Sequence, residues 1–247
     1  MLTLKGRTCV FAGGTGNVGR GAVRALAQAG MNVALVTHNP DSAKEIINDL
    51  QDCPGKVVAF GNDGGDAAVF PAVEEALGSV DVVINTTGGF NAVVPVEEID
   101  GEELNKKLSH QVTNVFLMMQ AAIPYLKKSS APRIILMTSV GAVDGFTGEN
   151  LVDSIARGGV ISMTYGLARL LAKDGITVNC IARSGVINDH EPHRANDYDV
   201  ATVQDRIPVG HIGTTDEFGA LVSYIASEES AFVTGQVFQL NGGLHIG

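Results

Sequence analysis

The segment Ala12-Gly13-Gly14-Thr15-Gly16-Asn17-Val18-Gly19 joins a β-strand pattern, Arg7–Phe11, to a helical pattern, Asn17–Ala29. Glycines in such a turn let the backbone come close to a ligand. The amides and the dipole at the start of the following helix can hold a pyrophosphate. A tight turn without a ligand would use the same residues, but the order of strand, turn and helix favours a nucleotide site.

Strand-like and helical stretches alternate along the chain. Runs such as Cys9-Val10-Phe11 and Val82-Val83-Ile84 are apolar at successive positions, as in parallel strands covered by helices on both faces. With right-handed crossovers, this alternation predicts an α/β Rossmann fold with a doubly wound sheet of seven parallel strands. The predicted strands are Arg7–Phe11, Asn32–Thr37, Lys56–Phe60, Val80–Asn85, Arg133–Thr138, Thr177–Ala182 and Gln236–Leu240. The predicted helices are Asn17–Ala29, Ser42–Gln51, Ala67–Ala76, Glu102–Leu126, Asp153–Ala172 and Asp216–Ser227.

Composition indicates one domain over residues 1–247. Of the 247 residues 45% are hydrophobic and 18% charged, and no change in composition marks a second domain. A polar stretch at 185–209 is long enough to form a loop over a binding site. The apolar runs are too short to span a membrane, and Met1–Gly6 lacks the features of a secretory signal. We therefore expect a soluble, cytoplasmic protein.

Charge and cysteine spacing argue against two kinds of site. A formal net charge of -10 disfavours a surface that binds a nucleic-acid backbone. Cys9, Cys53 and Cys180 have no ligand-like spacing to one another or to histidine, so we expect them to pack in the core and predict no metal site.

Further motifs follow the glycine-rich turn in a familiar order. They are Asp63 after the third strand, Asn85-Thr86-Thr87-Gly88 after the fourth, Ser139 after the fifth, Val178-Asn179 in the sixth, and Phe232-Val233-Thr234-Gly235-Gln236 with Asn241-Gly242-Gly243 in the last segment. Over nearly its whole length the chain resembles the short-chain dehydrogenase/reductase family. The resemblance implies an oxidoreductase that uses NADP or NAD on a small alcohol or carbonyl substrate. It also implies a homotetramer or dimer formed through Glu102–Leu126, Asp153–Ala172 and Phe232–Gly247.

The resemblance assigns cofactor contacts by position. It places Asp63 against the adenine, Asn85–Gly88 beside the adenosine ribose, and Val186 and Ile187 near the nicotinamide. The full set of implied cofactor-binding residues is Gly13, Thr15, Gly16, Asn17, Val18, Gly19, His38, Asn39, Asp63, Gly64, Asn85, Thr86, Thr87, Gly88, Thr138, Arg157, Val186 and Ile187.

The end of the second strand bears on the choice of cofactor. An acidic residue there would bind a ribose 2′-hydroxyl and repel a 2′-phosphate, but the chain reads Thr37-His38-Asn39. The missing carboxylate and the possible cation at His38 favour NADP. The glycine-rich turn lacks the basic residue of many NADP-binding members, so NAD stays open. As a separate departure, Asn17 stands where the family usually has its middle glycine, and the spacing Gly13, Gly16, Gly19 resembles atypical members.

The resemblance also assigns the chemical site. Ser139 takes the position of the serine that hydrogen-bonds the substrate carbonyl. The family then has a tyrosine that exchanges a proton with the substrate oxygen and, four residues later, a lysine. Aligning the helix on Gly159–Thr164 places Asp153 and Arg157 at these two positions. A shift by one residue would place Val152 and Ala156 there, which does not restore the pair either.

A fourth family position, an asparagine that anchors a water of the proton relay, corresponds to Gln111, with Asn114 one turn later as the alternative. Aspartic acid has a reference pKa of about 3.9 and tyrosine of about 10, so at neutral pH an aspartate accepts a proton rather than supplying one. An arginine at position 157 could bind ribose hydroxyls but could not relay protons.

The altered positions leave several hypotheses open. The first is an oxidoreductase with a non-standard active site, whose proton transfer uses Ser139, Asp153, water or a loop histidine such as His190 or His193. The alternative is a catalytically silent protein that binds a dinucleotide as a sensor or partner subunit. A third possibility is lyase or isomerase chemistry with an aspartate base. Asp153 and Arg157 could also form an ordinary i,i+4 ion pair.

Overall fold

The computed structural model describes residues 2–38, 40–61, 69–89, 93–145, 151–188, 190 and 204–247. Its strands are β1 Thr8–Ala12, β2 Asn32–Thr37, β3 Val57–Gly61, β4 Val82–Asn85, β5 Arg133–Ser139, β6 Thr177–Arg183, β7 Val186–Ile187, β8 Gly213–Thr214 and β9 Val237–Leu240. Seven of them form one parallel sheet in the order β3-β2-β1-β4-β5-β6-β9, and β7 pairs with β8. The predicted α/β fold with seven parallel strands is confirmed.

Helices cover both faces of the sheet. They are α1 Asn17–Gln28, α2 Lys44–Asp49, α3 Val69–Leu77, α4 Gly101–Leu108, α5 Asn114–Leu126, α6 Gly141–Asp144, α7 Leu151–Leu171 and α8 Thr215–Ala226. A π-helical turn, Ser109–Thr113, lies between α4 and α5. The predicted helix Glu102–Leu126 therefore exists, but the sequence did not reveal its π-helical turn. The small β7–β8 pair was also not predicted.

Alternate residues of each strand point to opposite faces and fill two separate cores. Val10 and Val83 pack with α3, α5 and α7 on one face. Phe11 and Ile84 pack with α1, α2 and α8 on the other. Because both faces are buried, the strands need apolar side chains at successive positions, which explains the pattern that predicted the fold.

Two of the three cysteines lie in the core. Cys9 and Cys180 are buried in the sheet, while Cys53 is half-buried. Burial raises the pKa of Cys180 to about 11 and raises that of Cys9 as well, so both thiols stay protonated at neutral pH. Among the described residues there is no cluster of side chains that could hold a metal ion, and no helix long and apolar enough to cross a membrane.

Strand order reverses between β1 and β4. The chain runs from β1 to β2 and β3 on one side, and β4 starts the other half of the sheet. At this point the loops that leave the carboxyl ends of β1 and β4 turn in opposite directions, which opens a crevice. The glycine-rich turn follows β1, the segment Asn85–Gly88 begins at the end of β4, and Ser139 ends the neighbouring β5.

Two glycines allow α1 and α8 to pack closely on one face. A Cβ atom at Gly21 would lie 2.3 Å from the Cβ of Thr215 and 2.9 Å from its carbonyl oxygen. A Cβ atom at Gly219 would lie 2.8 Å from the Cβ of Ala25. Larger residues at either position would force the two helices apart.

We expect Gly21→Ala to lower the free energy of unfolding by about 2 kcal/mol, because the added methyl group overlaps backbone and side chain of α8. The matched control is Gly166→Ala on α7, where a Cβ atom meets nothing within 4 Å. That change should be neutral or stabilise by up to about 1 kcal/mol through helix propensity. Urea unfolding followed by circular dichroism measures both, and equal effects would contradict this account of the α1–α8 contact.

Candidate functional site

The glycine-rich turn is folded tightly onto the end of β4. Gly13 has φ +85°, in the left-handed region, and a Cβ atom there would lie 2.6 Å from Oγ1 of Thr86. A Cβ atom at Gly19 would lie 2.2 Å from the carbonyl oxygen of Gly13. Both positions therefore require glycine, and the turn presents its backbone to the crevice.

Helix α1 begins directly after this turn, with Gly16 as its N-cap. Glycine has no side chain to bind the amides of the first helical turn, which can therefore donate to an anion. Thr15, Asn17 and Val18 are half-buried around them. Asn188, just after β7, donates from Nδ2 to the carbonyl oxygen of Asn17 at 3.3 Å and so fixes the start of the helix.

The segment after β4 is ordered by Asn85. Its Oδ1 accepts from the amide of Thr87 at 3.1 Å and from the hydroxyl of Thr87 at 2.7 Å. The amide of Thr86 donates to the carbonyl oxygen of Ala12 at 2.9 Å, which ties β4 to β1. Gly88 and Gly89 follow and are exposed. These bonds hold the segment beside the glycine-rich turn.

The other predicted cofactor positions lie around the same edge or outside the described residues. His38 is exposed at the end of β2. Val186 is buried and Ile187 half-buried in β7. Asn39, Asp63 and Gly64 lie outside the described residues, as do residues 189 and 191–203 of the predicted loop, which include His193.

The four predicted catalytic positions are all buried beneath this edge: Ser139, Asp153, Arg157 and Gln111. The hydroxyl of Thr138 donates to the carbonyl oxygen of Arg157 at 2.9 Å, which joins β5 to α7. Nη2 of Arg157 donates to the carbonyl oxygen of Gly89 at 3.4 Å. Three separate elements thus meet at one point.

Gln111 lies in the π-helical turn and contributes an amide without a partner. Its Oε1 and Nε2 are both buried and make no hydrogen bond within the described part of the chain. Gln111 lines a cavity of about 10 Å³ together with Asn85, Thr87 and Arg157, among others. This volume suits about one water molecule, which could provide the hydrogen bonds that a buried amide normally makes.

Lys107 is the residue that the sequence reasoning missed. Its Nζ lies 2.7 Å from Oδ1 of Asp153 and 3.1 Å from the carbonyl oxygen of Gly89. The side chain of Asp153 is 0% exposed and that of Lys107 is 10% exposed. Asp153 is therefore ion-paired with a lysine from α4, a partner that the sequence did not indicate. The sequence offers one feature that could have pointed to Lys107, namely its spacing: it lies one helical turn before Gln111 and so on the same face of the helix.

An open cleft of about 430 Å³ adjoins this ion pair. His110 lines it, and burial lowers the pKa of this imidazole, with smaller contributions from Lys107 and His38 in the same direction. A neutral imidazole is therefore favoured there at neutral pH. The lining residues are Gly88, Gly89, Glu103, Lys106, Lys107 and His110.

The loop histidine that the structure describes, His190, is exposed and makes two polar contacts. Nε2 of His190 lies 2.7 Å from Oδ1 of Asp216, the second residue of α8. The amide of His190 donates to Oδ1 of Asn188 at 3.2 Å. His190 is thus connected through Asn188 to the start of α1.

Comparison with known proteins gives one consistent result. The sequence model of a family described as "Enoyl-(Acyl carrier protein) reductase" matches residues 13–245. The 3-oxoacyl-[acyl-carrier-protein] reductase FabG of Vibrio cholerae is 28% identical over 249 residues, covering 99% of this chain and 100% of the relative. General stress protein 39 of Bacillus subtilis is 30% identical, covering 97% of this chain and 85% of the relative.

Solved structures have the same fold. A short-chain type dehydrogenase/reductase from Mycobacterium marinum superposes with a TM-score of 0.88 at 22% identity, covering 99% of this chain and 97% of that one. A short-chain dehydrogenase/reductase variant from Serratia marcescens superposes with a TM-score of 0.85 at 25% identity, covering 98% of both chains.

The buried ion pair gives a stability prediction. We expect Asp153→Ala to lower the free energy of unfolding by about 3 kcal/mol, because it leaves the Lys107 ammonium in a site with little access to water. The control is Asp174→Ala, which breaks the Lys127–Asp174 pair, 48% and 25% exposed. That change should cost less than about 1 kcal/mol. Chemical unfolding of both variants checks the difference, and similar values would show that the Lys107–Asp153 pair contributes no more than a surface pair.

Proposed function

Because the chain belongs to the short-chain dehydrogenase/reductase family, we propose that it is an oxidoreductase with a non-standard active site. It would use NADPH or NADH to interconvert an alcohol and a carbonyl compound. The observation that carries the proposal is the glycine-rich turn folded onto β4, directly beside the buried cluster of polar side chains.

The residues of the crevice fit a dinucleotide. A Cβ atom at Gly13 or Gly19 would collide with backbone, so the turn keeps its amides bare, and the uncapped start of α1 favours an anion such as a pyrophosphate. The Asn85–Gly88 segment would lie along the ribose, and Val186 and Ile187 would face the nicotinamide. When bound, the dinucleotide supplies or accepts the hydride.

The chain's own residues would then act on the substrate. Ser139 ends β5 at the crevice and would donate a hydrogen bond to the substrate oxygen. The amide of Gln111 would hold a water in the small cavity that it shares with Arg157. The Arg157 guanidinium would bind ribose hydroxyls with its fixed fork of donors.

The proposed active site is non-standard because Asp153 and Arg157 take the positions of the family's tyrosine and lysine. Asp153 lies in an ion pair with Lys107, and an ionised carboxylate only accepts hydrogen bonds. Arg157 holds its proton throughout the physiological range. The proton on the substrate oxygen must therefore have a source other than these two side chains.

One observation favours the second candidate, a silent dinucleotide-binding protein. The cavity beside Gln111 and Arg157 measures only about 10 Å³, too small for more than a water. A substrate would have to be bound from the larger cleft along Gly88 and Gly89. Binding of a dinucleotide without turnover would favour this candidate.

We also propose a homo-oligomer, as the resemblance implies. Large apolar side chains are exposed on the elements that would form it, and a partner subunit would remove them from water. These residues are Phe116 and Leu117 on α5, Leu151, Ile155, Tyr165 and Leu170 on α7, and Phe232 and Ile246 in the C-terminal segment.

The first test combines calorimetry with an absorbance assay. We expect NADPH to bind and to be oxidised in the presence of at least one carbonyl compound among a β-keto ester, a diketone, an aromatic aldehyde and a quinone. Ser139→Ala should bind NADPH as tightly as the wild type and lose roughly 100-fold in turnover, because one donor to the developing oxyanion is gone. Binding without any oxidation across these compounds would reject the oxidoreductase in favour of the silent protein.

Cofactor preference gives an independent prediction. We expect the wild type to bind NADPH more tightly than NADH, because no carboxylate at the end of β2 repels a 2′-phosphate. His38→Asp should reverse the order, with a change of at least about tenfold in the ratio of dissociation constants. Titration calorimetry measures all four constants. An unchanged ratio would show that position 38 does not contact the ribose.

A further inference from the structure

Lys107 has one hydrogen-bond donor to spare. A lysine ammonium carries three N–H donors. One donates to the carbonyl oxygen of Gly89 at 3.1 Å, and Nζ also lies 2.7 Å from Oδ1 of Asp153 in an ion pair. Even if a second N–H is assigned to the ion pair, one donor is left without a partner in the part of the chain that the structure describes. Lys107 also lines the 430 Å³ cleft, although its side chain is only 10% exposed. The ammonium is thus buried, held in place and still accessible from the cleft.

The surroundings of Lys107 place it at the chemical site rather than on a remote surface. The carbonyl oxygen of Gly89 accepts from both Lys107 and Arg157. A Cβ atom at Gly88 would lie 3.5 Å from Nε2 of Gln111 and 3.6 Å from Nη2 of Arg157. Lys107 therefore lies at the boundary between the open cleft and the buried cluster, where a substrate entering along Gly88 and Gly89 would meet it.

We propose that Lys107 supplies the proton to the substrate oxygen and that Asp153 positions it. This inference rests on the proposed oxidoreductase function. As the carbonyl carbon gains a hydride, the electron pair of the C=O bond moves to oxygen. That oxygen takes a proton from Nζ of Lys107, whose N–H electron pair stays on nitrogen. The products are an alcohol and a neutral amine, and water in the cleft returns a proton to the amine. In the oxidation direction every transfer is reversed.

The chemistry of the neighbouring groups leaves this role to Lys107. An ammonium is a far stronger acid than an alcohol, so transfer to a developing alkoxide is favourable, and its charge stabilises that oxygen before transfer. Arg157 cannot release a proton. Glu103, Lys106 and His110 lie on the wall of the cleft, whereas Lys107 alone also contacts the buried cluster through Asp153.

Asp153 has a distinct part in this arrangement. It is 0% exposed and contacts Lys107 from α7, so it fixes the direction of Nζ relative to the cleft. It does not itself line the cleft, so we assign it the role of a positioning residue. Replacing it by asparagine keeps its shape and a hydrogen-bond acceptor but removes the charge that holds the ammonium.

The kinetic test uses NADPH with the carbonyl compound that the wild type reduces best. Lys107→Arg retains the cation but cannot transfer a proton, and Lys107→Met retains length without charge. We expect both to bind NADPH within threefold of the wild type by calorimetry and to lose at least 100-fold in kcat. Asp153→Asn should lose about tenfold. The control is Lys127→Met, which breaks the ion pair between Lys127 and Asp174 at the end of α5 and should leave kcat unchanged.

Two further variants separate proton donation from a structural role. Lys107→Met combined with Asp153→Asn removes both charges, so the fold should be as stable as the wild type while kcat stays at least 100-fold low. Lys107→Ala should regain at least tenfold in kcat when methylamine or ethylamine is added, because a free amine can occupy the vacated space. Recovery of activity in the double variant would overturn the proposal. So would the failure of both amines to restore any activity to Lys107→Ala.

A measurement on the free protein tests the geometry without any turnover. Acetylation by N-hydroxysuccinimide acetate, followed by mass spectrometry, should be at least tenfold slower at Lys107 than at exposed Lys106, and should accelerate at Lys107 in Asp153→Asn. Equal rates at both lysines would reject the buried pair. If Lys107→Arg reduces a carbonyl compound as well as the wild type does, the proposed role of Lys107 is overturned and the proposed function still stands. A wild type that binds NADPH but reduces none would overturn both.

Discussion

The contact between Gly13 and Thr86 is the constraint on which the site depends. It brings the turn after β1 directly against the end of β4, at the point where the strand order reverses. A side chain at Gly13 would push these backbones apart, and the carbonyl oxygen of Gly13 leaves no room for one at Gly19 either. The amides at the start of α1, the ordered Asn85 segment and the end of β5 face one crevice because this contact is so short.

A second constraint is electrostatic. A carboxylate with no exposure to solvent is strongly destabilising unless a cation and further hydrogen bonds compensate for its lost hydration. Lys107 provides the cation for Asp153 and thereby joins α4 to α7. The π-helical turn lies directly after α4 and carries Gln111, so the pair also fixes the element that presents the unpartnered amide. Stability of the helices and geometry of the polar cluster are therefore linked through one pair of charges.

The fold could be predicted well because the patterns that identify its strands and its glycine-rich turn lie in short, continuous stretches of the sequence. Apolar residues at successive positions identified buried parallel strands, and every strand of the main sheet lies within two residues of its predicted bounds. The pair β7–β8 is only two residues long on each side and has no detectable pattern. The glycine-rich turn was also identifiable, since strand, glycines and helix are adjacent in the chain.

The polar cluster was predictable only in part. Ser139, Asp153, Arg157 and Gln111 were named by their positions relative to recognisable motifs, and all four are buried in the structure. Lys107 could not be found in this way, because α4 is polar on nearly every side and no motif surrounds it. Its partner lies on a different helix, so the pairing is a property of the tertiary structure.

Lys107 and Arg157 both reach the carbonyl oxygen of Gly89, but they are held there in different ways. The Arg157 backbone is tied to Thr138, and its guanidinium reaches the carbonyl oxygen of Gly89 and the small cavity beside Gln111. The flexible stem of a lysine can approach from α4 with a compact ammonium that still has a donor left over. Of the two cations that meet at Gly89, the one bound to the buried acid is therefore the one that can also exchange a proton with the cleft.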